Sequence, residues 1–176
     1  MTAVSPLLTS GLELLEHAIK HLRQGSPRDM RFAVTHADNA VELVLKEISR
    51  YNRIRIIDKR GQSIGYYDCI NRLQSKGVSI PEIPDIDLLH TERNSIYHLG
   101  SQPDNQRAEW LIFDVALDFI ERICKDELRY DIRKFSKMFD RVALLNAEIL
   151  ARRKAIVEKY LSEAVWSFDN NICLLY

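Results

Sequence analysis

The stretch Arg93-Asn94-Ser95-Ile96-Tyr97-His98 gathers side chains that do chemistry rather than packing. An arginine presents a planar fork of N–H donors to an anion. An imidazole titrates near ~6.5 when unperturbed, so it can take or give a proton around neutrality. An asparagine can orient a group one helical turn away. A tyrosine ring can stack on a base or donate its hydroxyl. On a helix with ~100° per residue and His90 set at zero, Arg93 falls near about 300°, Tyr97 near 340°, Asn94 near 40° and His98 near 80°. Five hydrogen-bonding groups therefore crowd one face. Leu88, Leu89, Ile96 and Leu99 fall between about 160° and 260° and are expected to face the core. A surface helix ordinarily fills its wet face with Lys and Glu, so this composition points to a site or a polar interface.

Plainer readings of the same residues compete with that one. His90, Asn94 and His98 are spaced i, i+4, i+8, which mimics a metal-binding face. Asparagine is a poor ligand, however, and no nearby Cys or carboxylate completes a set, so neither a metal nor another cofactor is expected. The Arg-to-His spacing alone is weak. It occurs again in Arg31-Phe32-Ala33-Val34-Thr35-His36, which has no polar residue after the arginine, lies in an alanine-rich core helix, and reads as a coincidence. Glu92 falls near about 200°, inside the expected apolar stripe. A buried carboxylate needs a partner, and Arg31 or Arg50 of the second helix is the expected counter-ion.

The elements that must position these groups read as helices throughout. Leu8, Leu12, Leu15, Ile19 and Leu22 predict a first helix over about 6–23, ended by Gly25. Ser26-Pro27 is an N-cap and first-turn pair for a second helix reaching Tyr51. Its core stripe is Ala33, Ala37, Ala40, Val41, Val44 and Ile48, and small alanines there predict a close helix–helix approach. Residues 53–64 break the pattern and read as a connector with a short hairpin. A third helix spans about 66–76. The fourth, which carries the Arg93–His98 stretch, runs from about Asp85 to Leu99 with Gly100 as its stop. A fifth covers about 103–126, with Trp110, Phe113, Leu117, Ile120 and Cys124 inward and Asp114, Asp118, Glu121 and Lys125 wet. A sixth spans about 132–164 along the seam Phe135, Met138, Val142, Leu145, Ile149 and Ile156. The tail 165–176 is apolar and aromatic, and calls for a docking surface. The expected fold is an all-α bundle over 1–128 with a C-terminal helical extension and tail over 129–176.

Composition agrees with that class. The 176 residues hold 6 Gly and 5 Pro, a low total that favours long helices. Cys69, Cys124 and Cys173 form no C-x-x-C pair, so they read as buried thiols of a reducing cytoplasm rather than a zinc ribbon or disulfide framework. No apolar run approaches the ~20 residues of a membrane span, and no signal-peptide pattern opens the chain. Net charge is zero but unevenly placed: residues 104–127 carry seven acids and three bases, and residues 129–159 nine bases and four acids. The basic half can face a phosphate backbone or simply be a solvated helix face.

Leu89-His90-Thr91-Glu92-Arg93-Asn94-Ser95-Ile96-Tyr97-His98 resembles the signature of the HEPN superfamily: an arginine, a polar residue, then a histidine near the end of a bundle helix. Ala40-Val41-Glu42-Leu43-Val44-Leu45-Lys46-Glu47-Ile48 is similar to that family's second-helix pattern. The resemblance covers about Pro6 to Cys124. In many members a glycine directly follows the histidine; here Leu99 stands before Gly100. The resemblance implies a HEPN-like helical bundle and a dimeric, metal-independent endoribonuclease. Such an enzyme cleaves RNA to a cyclic phosphate and a 5′-hydroxyl, often as a toxin or in phage defence. It places Arg93 and His98 at the catalytic pair and Asn94 at the polar position, with Tyr97 and His90 expected to bind substrate. A cognate antitoxin or other partner protein goes with that role.

Geometry adds an expectation of its own. Five residues separate Arg93 from His98, roughly 140° around the helix and ~7.5 Å along it. Helical side chains lean toward the N-terminus, so Arg93 leans away from His98. Two copies of the helix about a two-fold axis would surround a shared cleft with both pairs, which predicts a homodimer through the Arg93–His98 helix. Two other readings stay open: a non-catalytic HEPN dimerisation or RNA-binding module, and a helical adaptor carrying a chance motif.

Overall fold

The computed structural model describes residues 4–136 and residue 139. The chain divides into two compact units, residues 1–135 and 136–176. The first unit holds all the helices described below. The expected sixth helix beyond residue 136, the tail 165–176, Cys173 and most of the basic stretch lie outside the described residues.

The fold is all-α. Helix α1 (Pro6–Gln24) begins where the Ser5 side chain accepts from the Leu8 N–H at 3.2 Å, and stops at Gly25, which takes φ 76°. Helix α2 (Pro27–Tyr51) begins with Ser26 accepting from the Asp29 N–H. The leucine stripe of α1 and the alanine–valine stripe of α2 are buried against each other. The approach is as close as the small residues predict: a Cβ added to Gly11 would stand 3.2 Å from Val44 Cγ2 and 3.4 Å from the Ala40 carbonyl oxygen.

Helix α2 is the central element, packing against α1, α3 (Tyr66–Ser75), α4 (Ile83–Leu99) and α6 (Asp118–Leu128). The expected hairpin over 53–64 shrinks to one antiparallel bridge, Ile57 to Ser63. Its turn is held by Asp58, whose carboxylate accepts from the N–H groups of Arg60 and Gln62 at 2.7 and 2.9 Å.

The expected fifth helix is three segments. Helix α5 (Asn105–Trp110), capped by Asp104, passes into a π-helical segment, Leu111–Leu117, and then into α6. Leu111, Ile112, Phe113, Val115, Ala116 and Leu117 are all buried. Asp114 apart, the run is apolar all round, as in a helix enclosed by its neighbours, and it packs against α1, α2 and α4. The sixth helix does not begin at Ile132: residues Ile132–Lys134 form a 3-10 turn, with Ile132 buried. Cys69 and Cys124 are free and buried. Burial pushes their thiols up to about 11 and about 12, so neither is a nucleophile near neutrality. Among the described residues, no helix is long and apolar enough to cross a membrane.

Candidate functional site

Helix α4 presents a different face to the core from the one its leucines predict. Its buried residues are Ile86, Leu89 and His90, and Arg93 continues that row at one-fifth exposure. Leu88 and Leu99 are exposed, at 44% and 81%. The cause lies on α2. Asp38 sits four residues after Val34 and three before Val41, on the apolar face, and its carboxylate is fully buried. A buried charge requires partners. His90 Nδ1 lies 3.1 Å from Asp38 Oδ1, and Arg93 Nε donates to Asp38 Oδ2 at 2.7 Å. Helix α4 therefore turns His90 and Arg93 inward and leaves two leucines in water.

His90 is held on every side. Its ring stacks on Tyr66 at a centroid distance of 4.3 Å and an interplanar angle of 8°, with Tyr67 edge-on at 5.4 Å. The Tyr66 hydroxyl donates to Asp87 Oδ1 at 3.0 Å. Burial, and then that hydrogen bond, raise the Tyr66 pKa and keep the phenol protonated. His90 is thus a core residue bridging α2, α3 and α4, not part of a wet face.

Arg93 is fixed but not exhausted. Its Nε serves Asp38, its Nη1 donates to Asn94 Oδ1 at 2.9 Å, and Nη2 lies 3.7 Å from Glu42 Oε2. Glu42 in turn accepts from Lys46 Nζ at 2.6 Å. A guanidinium has five N–H donors, so one Nη1 hydrogen and the Nη2 pair remain for an anion. The Tyr97 ring stands 5.7 Å from the guanidinium carbon and is 63% exposed. Asn94 is half-buried and serves Arg93 rather than orienting His98. His98 is exposed, and among the described residues its side chain makes no hydrogen bond, ion pair or ring contact.

The seam thus brings Arg93, Asn94 and Tyr97 together, adds Asp38 and Glu42, draws His90 into the core, and leaves His98 apart. The motif on α4 does not point to Asp38 and Glu42, although an aspartate on an apolar stripe is itself a signal. Glu92 pairs with Arg107 at 3.4 Å, not with Arg31 or Arg50. Its half-buried position faces α5, and Arg50 is taken by the buried Glu47 through a two-pronged pair at 2.9 and 2.7 Å. Among the described residues, no three His, Cys, Asp or Glu side chains gather as a metal-ligand set. No family model, curated protein or solved structure matches the chain.

Proposed function

We propose that the chain is a HEPN-type, metal-independent endoribonuclease acting as a homodimer through α4. The observation that carries this reading is the pairing of an anchored guanidinium with an unengaged imidazole at the end of the same helix. Arg93 is held by the buried Asp38 with donors to spare, and His98 stands in water five residues on. Cleavage by RNA's own 2′-hydroxyl needs no protein nucleophile. One His98 takes the 2′-hydroxyl proton as the 2′-oxygen bonds to phosphorus. The bond from phosphorus to the 5′-oxygen breaks, and a second imidazole protonates that oxygen. Arg93 stabilises the anionic five-coordinate phosphate between. The products are a cyclic phosphate and a 5′-hydroxyl.

One copy holds one such histidine. Leu88, Ser95, His98 and Leu99 follow helical spacing along the face of α4 turned away from α2, and its two leucines are exposed. A second copy packed on that stripe covers the leucines and supplies the second imidazole. The role in view is a toxin or phage-defence effector acting on cytoplasmic RNA and restrained by a cognate partner protein.

A second reading has an observation of its own. Asp38, Glu42 and Asn94 already engage Arg93, which suits a structural tie in a non-catalytic HEPN dimerisation or RNA-binding module. Incubation with RNA in EDTA separates the two. Cleavage to cyclic-phosphate ends, lost in both His98→Ala and Arg93→Ala, supports the ribonuclease. Intact RNA with the wild-type protein across several substrates supports the module. Toxicity on expression, relieved by His98→Ala, reads out the same difference in cells.

A further inference from the structure

Helices α2 and α4 run antiparallel along their seam: Asp38 faces His90 and Arg93, while one turn earlier in α2 Thr35 lies by Ile96 and Tyr97. At this earlier end the seam opens into a cavity of about 330 Å³ lined by Arg28, Arg31, Phe32, Thr35, Ile96 and Tyr97. The four α2 residues fall at i, i+3, i+4 and i+7, a single stripe that continues into Asp38. The two halves of this stripe differ in charge. Where the acids Asp38 and Glu42 lie, α4 answers with Arg93. Where the arginines lie, no acid answers: among the described residues Arg28 and Arg31 make no ion pair, and Arg28 only covers the Phe32 ring at 5.4 Å. Both arginines are exposed, and the Phe32 and Tyr97 rings are 39% and 63% exposed.

Unanswered guanidinium groups beside a tyrosine that is 63% exposed match the two surfaces of an unpaired nucleotide, its phosphate and its base. Double-stranded RNA hides its base faces in the stack and cannot use the rings. The groove shares Tyr97 with Arg93, whose guanidinium carbon stands 5.7 Å from the centre of that ring. We propose that the α2–α4 groove binds single-stranded RNA next to the position of cleavage, with Arg28 and Arg31 holding backbone phosphates and Tyr97 stacking a base. This inference rests on the proposed RNA reading and adds a track that the Arg93–His98 pair does not contain. It also gives Arg31, the arginine of the second Arg-to-His match, a place at the site.

The test measures binding of a fluorescein-labelled single-stranded oligoribonucleotide in EDTA by anisotropy, over a salt series, in a His98→Ala background. Arg28→Gln/Arg31→Gln is expected to raise Kd about tenfold or more and to flatten the slope of log K against log salt by about 1.4, two phosphate contacts at ~0.7 each. Tyr97→Ala is expected to raise Kd at least about fivefold with the slope unchanged. Arg60→Gln, which removes one exposed charge from the 53–64 connector, is expected to bind as the background does. Duplex RNA and inorganic polyphosphate are expected to compete poorly. Wild-type-like affinity in the double arginine variant overturns the groove, as does polyphosphate competing as well as RNA. If otherwise wild-type protein cleaves RNA with KM unchanged by Arg28→Gln/Arg31→Gln, the groove falls and the ribonuclease stands. If the arginines carry binding but nothing is cleaved, the groove stands and the ribonuclease falls. If no RNA binds, both fall.

Discussion

Replacing Asp38 tests the central claim about how α4 is set. Asp38→Ala leaves His90, at 8% exposure, and the Arg93 side chain, at 21%, without their shared acceptor. Removing one partner of a buried ion pair costs about 3–5 kcal/mol. Arg93 retains partial solvation and the Glu42 carboxylate 3.7 Å from Nη2, which places the expected loss at the lower end, about 3 kcal/mol. Asp38→Asn keeps the shape and one acceptor but loses the charge, and is expected to cost about 1–2 kcal/mol. For a unit of this size that is a fall in Tm of roughly 10 °C for the alanine and 5 °C for the asparagine. Urea denaturation followed by far-ultraviolet circular dichroism measures both. Arg93→Met completes a double-mutant cycle in which its lost contact with Tyr97 cancels. The coupling between positions 38 and 93 is expected to reach about 1–3 kcal/mol. Additivity within about 0.5 kcal/mol, or an Asp38→Asn protein as stable as wild type, would refute the idea that this carboxylate turns α4 inward.

Two more outcomes are expected from other parts of the fold. His36 has a buried, unpartnered Nδ1 and lies 5.4 and 5.9 Å from the rings of His21 and His17; burial first, and then those two imidazoles, hold its pKa below 6.5. The unfolded chain therefore binds the proton more readily, so this contribution to stability is complete above ~6.5 and is lost as pH falls toward the depressed value. Tm should drop as pH falls below ~6.5, and less steeply in His36→Phe; parallel profiles would remove His36 as the cause. Leu88→Lys/Leu99→Lys should leave circular dichroism unchanged, because both side chains already meet water. It should weaken self-association in sedimentation equilibrium at least about tenfold, given about 1.5–3 kcal/mol per buried leucine. A double variant as dimeric as wild type would place the interface elsewhere.

What could be seen in the sequence differs by element for physical reasons. Helices α1 and α2 announce themselves because their period, the Ser26 cap and the Gly25 stop all act within one segment. The π turn at Leu111–Leu117 does not, because density of apolar residues marks burial but not hydrogen-bond register. The rotation of α4 is the instructive failure. A wheel drawn on hydrophobicity alone puts His90 and Arg93 in water and Leu88 and Leu99 in the core, and the structure has the reverse. The deciding residue is Asp38, on another helix, and a wheel of α4 contains no term for it. Its own position was readable: a carboxylate between Val34 and Val41 on an apolar stripe needs a cation from whatever packs there.

Packing across the α2–α4 seam also changes the weight of the repeated Arg-to-His spacing. Judged within one helix, Arg31–His36 lacks the polar neighbour of Arg93–His98 and reads as chance. Judged across the seam, Arg31 lines a cavity with Tyr97, while His36 turns to the other side and joins the α1 histidines. Within one copy, neither match is drawn together by a side-chain contact. Arg93 belongs with Asp38, Asn94 and Tyr97, Arg31 with Arg28 and Tyr97, and His98 with the exposed stripe of α4. Spacing along a chain places side chains around one helix; chemistry depends on which of them the neighbouring helix leaves unanswered.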